Sequence, residues 1–111
     1  MAKILSSHGI NDKRELYNIL NTPAGKMRDH KGERIEVEGF AFVERENTQT
    51  GEVTEVFMVK TKDGEILGTS SKSFVDGVKT FIDLLGADEL TAFTVGTAVS
   101  KSGRDYMIFK A

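Results

Sequence analysis

The residues of this chain that could do chemistry are cations, carboxylates and aromatic rings, and none of them falls into a catalytic motif. The sequence carries no phosphate-binding P-loop, no glycine-rich dinucleotide fingerprint and no His-Glu-x-x-His zinc helix. His8 and His30 lie far apart, without carboxylates at metal-ligand spacing, so we expect both at the surface. The chain has no cysteine, which removes thiolate chemistry and cysteine zinc sites. We therefore expect neither enzyme activity nor a bound metal or cofactor.

The positive charges are concentrated near the start of the chain. Residues 1–34 contain seven Lys/Arg and four Asp/Glu, a net charge of +3, whereas residues 35–111 contain eight and thirteen, a net charge of −5. Such asymmetry indicates either a face for an anion or an unevenly charged solvated surface. The glutamates of residues 36–46 alternate along one predicted strand, and we interpret them as a solvated acidic edge rather than a cation site.

The elements that must position these groups begin with a short helix over residues 11–22. Leu16, Ile19 and Leu20 form its apolar stripe after a cap at Asn11 or Asp12. The segment 22–25 ends the helix because proline disfavours the helical conformation in the residue before it. A basic loop over residues 26–32 follows.

Alternating apolar residues and turn signals predict five strands in the remainder of the chain. The strongest turn signal is Asp63-Gly64, between two runs typical of strands, and Ser102-Gly103 marks a second hairpin. A second helix over residues 73–85, capped by Ser71 or Ser73, separates the third strand from the fourth. The predicted strands cover residues 34–45, 53–61, 66–70, 93–99 and 104–110.

The order β-β-β-α-β-β is that of a five-stranded Greek-key barrel of the oligonucleotide/oligosaccharide-binding (OB) type. We therefore predict a mainly β, single-domain protein over residues 1–111, with an N-terminal helix at 11–22 and a barrel at 34–110. The second helix would plug one end of the barrel and bury Phe74, Val78, Phe81 and Leu85. The alternative is an α+β sheet with this helix packed across one side.

For two of the predicted strands, the sequence does not decide whether the aromatic rings face the core or the solvent. Phe40 and Phe42 share one face of the first predicted strand with its glutamates, so they are exposed unless a bulge at Gly39 turns them inward. On the second strand, Phe57 faces one way with Val59, while Val56 and Met58 face the other. Phe57 is thus either a ring exposed on the binding face or part of the core.

Barrels of this type bind single strands by stacking bases on aromatic rings and by placing Lys and Arg along the phosphates. Each loop that borders the predicted groove supplies a cation. The candidate nucleic-acid-binding residues are Lys26, Arg28, Lys31, Arg34, Phe42, Phe57, Lys60, Lys62, Lys72, Lys101, Arg104 and Tyr106.

Residues 16–25, and residues 29–42 with the run Arg34-Ile-Glu-Val-Glu-Gly-Phe40, resemble the small single-stranded DNA-binding proteins of phages with protein-primed DNA replication. In that family a similar helix, a glycine-rich loop and a strand ending in Gly-Phe follow in the same order. The resemblance covers residues 12–45 best. It implies an OB-like, non-catalytic protein that coats single strands during phage DNA replication.

The leading hypothesis is sequence-independent binding of single-stranded DNA, with self-association compensating for modest affinity per monomer. The alternative is a protein-interaction module that docks on a replication or host-defence protein through its acidic strand face. We expect no membrane association, because no apolar run approaches the roughly 20 residues of a membrane span. Without a secretion signal or cysteines, the chain is expected in the cytoplasm, that of the host if it comes from a phage.

Overall fold

A single curled sheet dominates the protein. The computed structural model describes residues 2–10, 12–21, 25–46 and 48–111. The strands are β1 (Ala2–His8), β2 (Gly25–Lys26), β3 (Arg34–Glu46), β4 (Val53–Thr61), β5 (Ile66–Thr69), β6 (Ala92–Val99) and β7 (Asp105–Lys110). The helices are α1 (Lys13–Asn21) and α2 (Lys72–Leu85), with short 3₁₀ turns at Met27–His30 and Ala87–Glu89.

The long strand β3 organises the sheet, whose order is β2-β5-β4-β3-β6-β7. One edge of β3 pairs with β4 along almost its whole length. The other edge pairs with β6 at residues 34–36 and with β1 at residues 40–45. The protein is therefore mainly β, and its described residues form a curled half-barrel of seven strands with two helices.

The predicted order β-β-β-α-β-β is confirmed in β3, β4, β5, α2, β6 and β7, with bounds that agree within one or two residues. One part of the fold prediction needs correction, and another is confirmed only in its coarser form. The helix is not the N-terminal element, because β1 precedes it and pairs antiparallel with β3. The mainly β class is confirmed, whereas the five-stranded OB-type barrel is not, since the sheet contains further strands and no ladder joins β5 to β7 in the described part of the chain.

Of the two alternatives left open for β3, the structure has the bulge at Gly39. The β3–β4 register shifts between Val37 and Gly39, which reverses the alternation of side chains along β3. Val37 before the shift and Phe40 after it consequently face the same core. A β-carbon at Gly39 would lie 2.6 Å from Cγ1 of Ile10 and 3.0 Å from the carbonyl carbon of Gly9, so only glycine lets the chain after β1 approach β3 here.

Two apolar clusters lie on the two faces of the sheet. The larger lies on the concave face beneath α2 and includes Phe57, Phe74 and Phe93, all fully buried. The smaller lies beneath α1 and includes Ile19 and Met58. Because Phe57 and Met58 are neighbours on β4, they point to opposite faces of the sheet, Phe57 into the larger cluster and Met58 into the smaller one.

The predicted stripes of the helices are observed in part: on α1, Ile19 is buried and Leu16 is half-buried, while the side chain of Leu20 lies outside the described residues. The backbone N–H of Arg14 donates to Oδ1 of Asp12 at 2.9 Å, so Asp12 caps α1. Asn11, the other predicted cap, and the predicted stop at residues 22–24 lie outside the described residues. On α2, Phe81 is only half-buried, where its ring packs against Phe109, and Leu85 is exposed rather than buried. The apolar stripe of α2 thus continues past the part of the helix that the sheet covers.

Candidate nucleic-acid interface

The basic segment of residues 25–31 is held against the sheet at both ends. Gly25 and Lys26 pair parallel with Leu67 and Gly68 of β5. Beyond the segment, the backbone N–H of Gly32 donates to the carbonyl of Val95 on β6, at 2.7 Å. The side chain of Met27 lies between these points, fully buried in the larger cluster. Because Met27 anchors the 3₁₀ turn to the core, its charged neighbours are left at the surface.

A cleft of about 570 Å³ opens where β5 ends and β7 begins. Its walls are residues 68–71 on one side and residues 105–107 on the other, with Lys26, Arg28 and Lys31 along the basic segment. We call it the basic cleft. It coincides with the gap at which the half-barrel stays open, so the curl of the sheet itself creates it.

The three cations of the basic cleft are exposed, and none has an ion-pair partner among the described residues. The one carboxylate among the described residues lining the cleft is that of Asp105. Three unpaired positive charges and one negative charge give the cleft a local excess of positive charge, which is suited to binding phosphate.

Tyr106 is the aromatic residue of the basic cleft. Its side chain is 41 % exposed and lies on β7, across the cleft from the end of β5. A ring in this position can offer a face to a base while the neighbouring cations contact the backbone.

Phe42 and Phe57, the other predicted stacking residues, belong to the core. Phe57 is fully buried, and its ring centroid lies 5.3 Å from that of Phe42 and 5.8 Å from that of Phe40. Phe42 is 6 % exposed. In this conformation both rings are covered by other side chains, so neither presents a face to a base.

Lys60 is committed to an ion-pair network on the opposite side of the sheet. Its Nζ lies 2.7 Å from Oε1 of Glu15 and 3.4 Å from Oε2 of Glu38. The hydrogen bond to Glu15 raises the pKa of Lys60 above its ordinary value, against a smaller opposing effect of desolvation. This lysine ties α1 to β3 and β4, away from the basic cleft.

Arg34 and Lys62 lie in a second cleft that is acidic. Four carboxylates line it with them, those of Glu33, Glu36, Asp63 and Glu65. His30 bridges two of these acids, with Nδ1 at 3.2 Å from Glu33 and Nε2 at 3.5 Å from Glu65. The surplus of negative charge makes this cleft a poor place for phosphate.

The three remaining predicted cations are exposed and lie outside the basic cleft. Lys72 begins α2 and lines a groove between α2 and β4. Lys101 and Arg104 lie in the turn between β6 and β7, which a hydrogen bond from the backbone N–H of Ser100 to the carbonyl of Arg104 closes at 2.8 Å. The structure therefore brings together four of the twelve predicted residues: Lys26, Arg28, Lys31 and Tyr106.

The sequence reasoning missed the hydroxyl-rich wall of the basic cleft. The wall opposite Tyr106 is formed by Thr69, the last residue of β5, and by Ser70 and Ser71, which connect β5 to α2. Part of the hydrogen-bonding capacity of these hydroxyl groups is used within the loop, since the backbone N–H of Ser71 donates to Oγ1 of Thr69 at 3.1 Å. The signal was the run of small polar residues between a strand and a helix, which is equally typical of a helix cap.

The described part of the chain holds no cluster of three side chains suited to bind a metal ion. Neither of its described helices is long and apolar enough to cross a membrane.

Comparison with models of known protein families identifies a family that matches this chain. The model of the family described as phage single-stranded DNA-binding protein, of the phi29 type, matches residues 5–110. No curated protein and no solved structure gives a significant match.

Proposed function

This chain belongs to the phage single-stranded DNA-binding protein family, and from that premise we propose that it holds the DNA strand in the basic cleft. Membership makes the protein a non-catalytic one that binds single-stranded DNA during phage replication. It also agrees with the resemblance seen in residues 12–45, and extends it to nearly the whole chain.

One observation carries the proposal: Lys26, Arg28, Lys31 and Tyr106 line the same cleft. The three cations contact successive phosphates, and a base of the unpaired strand stacks on Tyr106. Neither contact reads the identity of the base, because every base has an aromatic face and every nucleotide a phosphate. Binding is therefore largely independent of sequence.

The proposal assigns the other predicted residues more peripheral roles. Lys101 and Arg104, in the turn that precedes Tyr106, attract the strand electrostatically from outside the cleft. Phe42, Phe57 and Lys60 support the fold, and Arg34 and Lys62 are left out because carboxylates surround them.

We also propose that the half-barrel is a variant of the OB barrel. The supporting features are the order of its elements and the position of β3, which pairs with both β4 and β6. Oligonucleotides bind OB barrels across the face of their strands and the adjoining loops. The basic cleft would then be the point at which this variant departs from a closed barrel.

Replacing Lys26, Arg28 and Lys31 together by alanine tests the cleft. Titration with oligo-dT at several salt concentrations should give lower affinity and a shallower dependence of log affinity on log salt. The slope should change by about 0.7 per lost phosphate contact, or about 2 in total. Each lost contact no longer releases a counterion, which is the physical reason for the change.

The matched control removes three other exposed cations, Lys13, Arg14 and Lys62. It changes the net charge by the same amount but leaves the basic cleft intact, so its salt slope should stay close to that of the unmodified protein. An unchanged slope in the cleft variant, or equal changes in the two variants, would remove the basic cleft from the binding site.

A second role is favoured by the acidic cleft, whose carboxylates suit a positively charged surface of another replication protein. The site of action would be the cytoplasm of the host.

Self-association along the bound strand would raise the affinity for DNA without further contacts to DNA. Sedimentation with and without oligo-dT measures this self-association.

A further inference from the structure

A second groove runs beside the basic cleft, between the start of β4 and the first turns of α2. It has a volume of about 410 Å³. Val75, almost fully buried, forms its floor, while Val53 and Lys72 stand exposed at its sides. We call it the β4–α2 groove.

The two depressions meet at Ser70. This residue, exposed between β5 and α2, lines both the basic cleft and the β4–α2 groove. A bound strand that leaves the basic cleft past residues 69–71 therefore enters the β4–α2 groove without crossing another element of the protein.

The charges of the groove differ from those of the basic cleft. Lys79 forms an ion pair with Glu55, and its Nζ lies 5.9 Å from the centre of the Phe42 ring, so its charge is already engaged. Lys72 has no ion-pair partner among the residues that the structure describes. With Asp76 also present, the groove has no net positive charge, and Lys72 is its available cation.

An apolar groove with a single available cation suits the base faces of a nucleic acid more than a run of phosphates. Val53 is 56 % exposed, which is unusual for a valine, and it offers apolar surface to an unstacked base at the side of the groove. Lys72 can at the same time neutralise the phosphate of that nucleotide.

We propose that the β4–α2 groove is a second binding subsite, in which the DNA strand held by the basic cleft continues. The bound strand passes over Ser70, its next phosphate pairs with Lys72 and a base packs against Val53. This inference rests on the proposed function, because the basic cleft must hold the first part of the strand. It predicts that the protein distinguishes oligonucleotides by length.

The test compares a short and a long oligo-dT, of about 4 and about 16 nucleotides, which bracket the usual site sizes of small barrels. The short strand should bind in the basic cleft rather than in the β4–α2 groove, because the cleft has three unpaired cations and the groove only Lys72. Lys72→Ala should leave its affinity unchanged. For the long strand, the same variant should lower the affinity and make the salt slope shallower by about 0.7.

Val53→Glu gives an independent test, because a carboxylate in the groove repels the strand and an exposed position tolerates the change. It should weaken binding of the long strand only. Leu84→Glu is the control, since it places the same charge on another exposed apolar residue, at the far end of α2. Melting curves establish that all three variants are folded.

The inference is overturned if Lys72→Ala and Val53→Glu bind the long strand as the unmodified protein does. It is also overturned if they weaken both strands equally, because Lys72 and Val53 would then act on the basic cleft. Failure of the proposed function looks different: the variant lacking Lys26, Arg28 and Lys31 would bind the short strand normally.

Discussion

Tyr106 and Phe57 illustrate how side-chain direction separates a binding ring from a structural one. Tyr106 lies on β7, at one edge of the sheet, whereas Phe57 lies on β4, which is paired on both sides, with β5 and with β3. Phe57 points to the concave face and packs among four other phenylalanine rings at centroid distances of 5.3–6.2 Å. Tyr106 lies one residue after the start of β7 and remains partly exposed at the basic cleft. We therefore expect the same substitution to have different consequences at the two positions.

Tyr106→Ala should weaken binding of oligo-dT by about 1–3 kcal/mol, the contribution of one base stacked on an aromatic ring. Its melting temperature should stay close to that of the unmodified protein, because the ring is partly exposed. Phe57→Ala should instead lower the free energy of unfolding by about 3–5 kcal/mol, since it leaves a cavity in the core. Fluorescence titration and thermal melting of each variant measure the two effects.

Tyr17→Ala is the matched control, because it removes the other tyrosine of the chain, on α1, and lies outside the basic cleft. It should bind oligo-dT normally. If Tyr106→Ala bound as tightly as this control, base stacking in the cleft would have to be abandoned.

At the scale of elements, the bulge in β3 decides which residues the sheet can bury. Before the bulge, odd-numbered residues such as Val37 face the concave core, and after it even-numbered residues such as Phe42 do so. The bulge exists where the chain after β1 presses on β3, with Gly9 and Gly39 in close contact. This contact couples β1 to the orientation of every side chain in the second half of β3.

Gly39→Ala should destabilise the protein by about 1–3 kcal/mol, the usual cost of forcing an extra carbon into a packed region. The added β-carbon would meet Cγ1 of Ile10 at 2.6 Å and the backbone of Gly9 at 3.0 Å. Denaturant unfolding measures the loss. The double variant Gly39→Ala/Ile10→Ala should be more stable than the sum of the two single effects predicts, because shortening Ile10 relieves the closer contact.

Strict additivity in this double variant would show that Ile10 does not limit the space at Gly39. A fully stable Gly39→Ala protein would contradict the role of the glycine in the bulge.

At the scale of the whole molecule, binding of a polyanion by a protein of net charge −2 depends on where its charges lie. Three cations without an ion-pair partner among the described residues, Lys26, Arg28 and Lys31, line the open side of the half-barrel, whereas Lys60 and Lys79 are paired with carboxylates elsewhere. Local potential rather than net charge guides a charged ligand at short range, since salt screens distant charges within about 8–10 Å.

Single-stranded DNA should consequently stabilise the folded protein. At an oligo-dT concentration about 100 times the dissociation constant, the expected stabilisation is about 2.7 kcal/mol, which corresponds to an increase in melting temperature on the order of 10 °C. The increase should shrink as salt is added. A duplex should give a smaller increase, because its paired bases are not free to stack on Tyr106. An equal increase with duplex and single strand would contradict base stacking in the cleft.

The sequence by itself determined the local elements. The Asp63-Gly64 turn, the bounds of β4, the apolar stripe of α2 and the option of a bulge at Gly39 all follow from neighbouring residues, because turns and helices are stabilised by contacts close in sequence. The run around residues 29–42 also indicated the right family.

Only the tertiary structure decided which candidates meet. The strand β1 lacks a strong pattern of its own and forms because β3 offers it an edge, while β2 needs β5 in the same way. The face taken by Phe57 depended on which side of β4 received α2, and the exposure of Leu85 on how far the sheet reaches along that helix. The basic cleft joins residues 26–31 to residues 105–107, segments that sequence spacing cannot relate, because their proximity arises from the curl of the whole sheet.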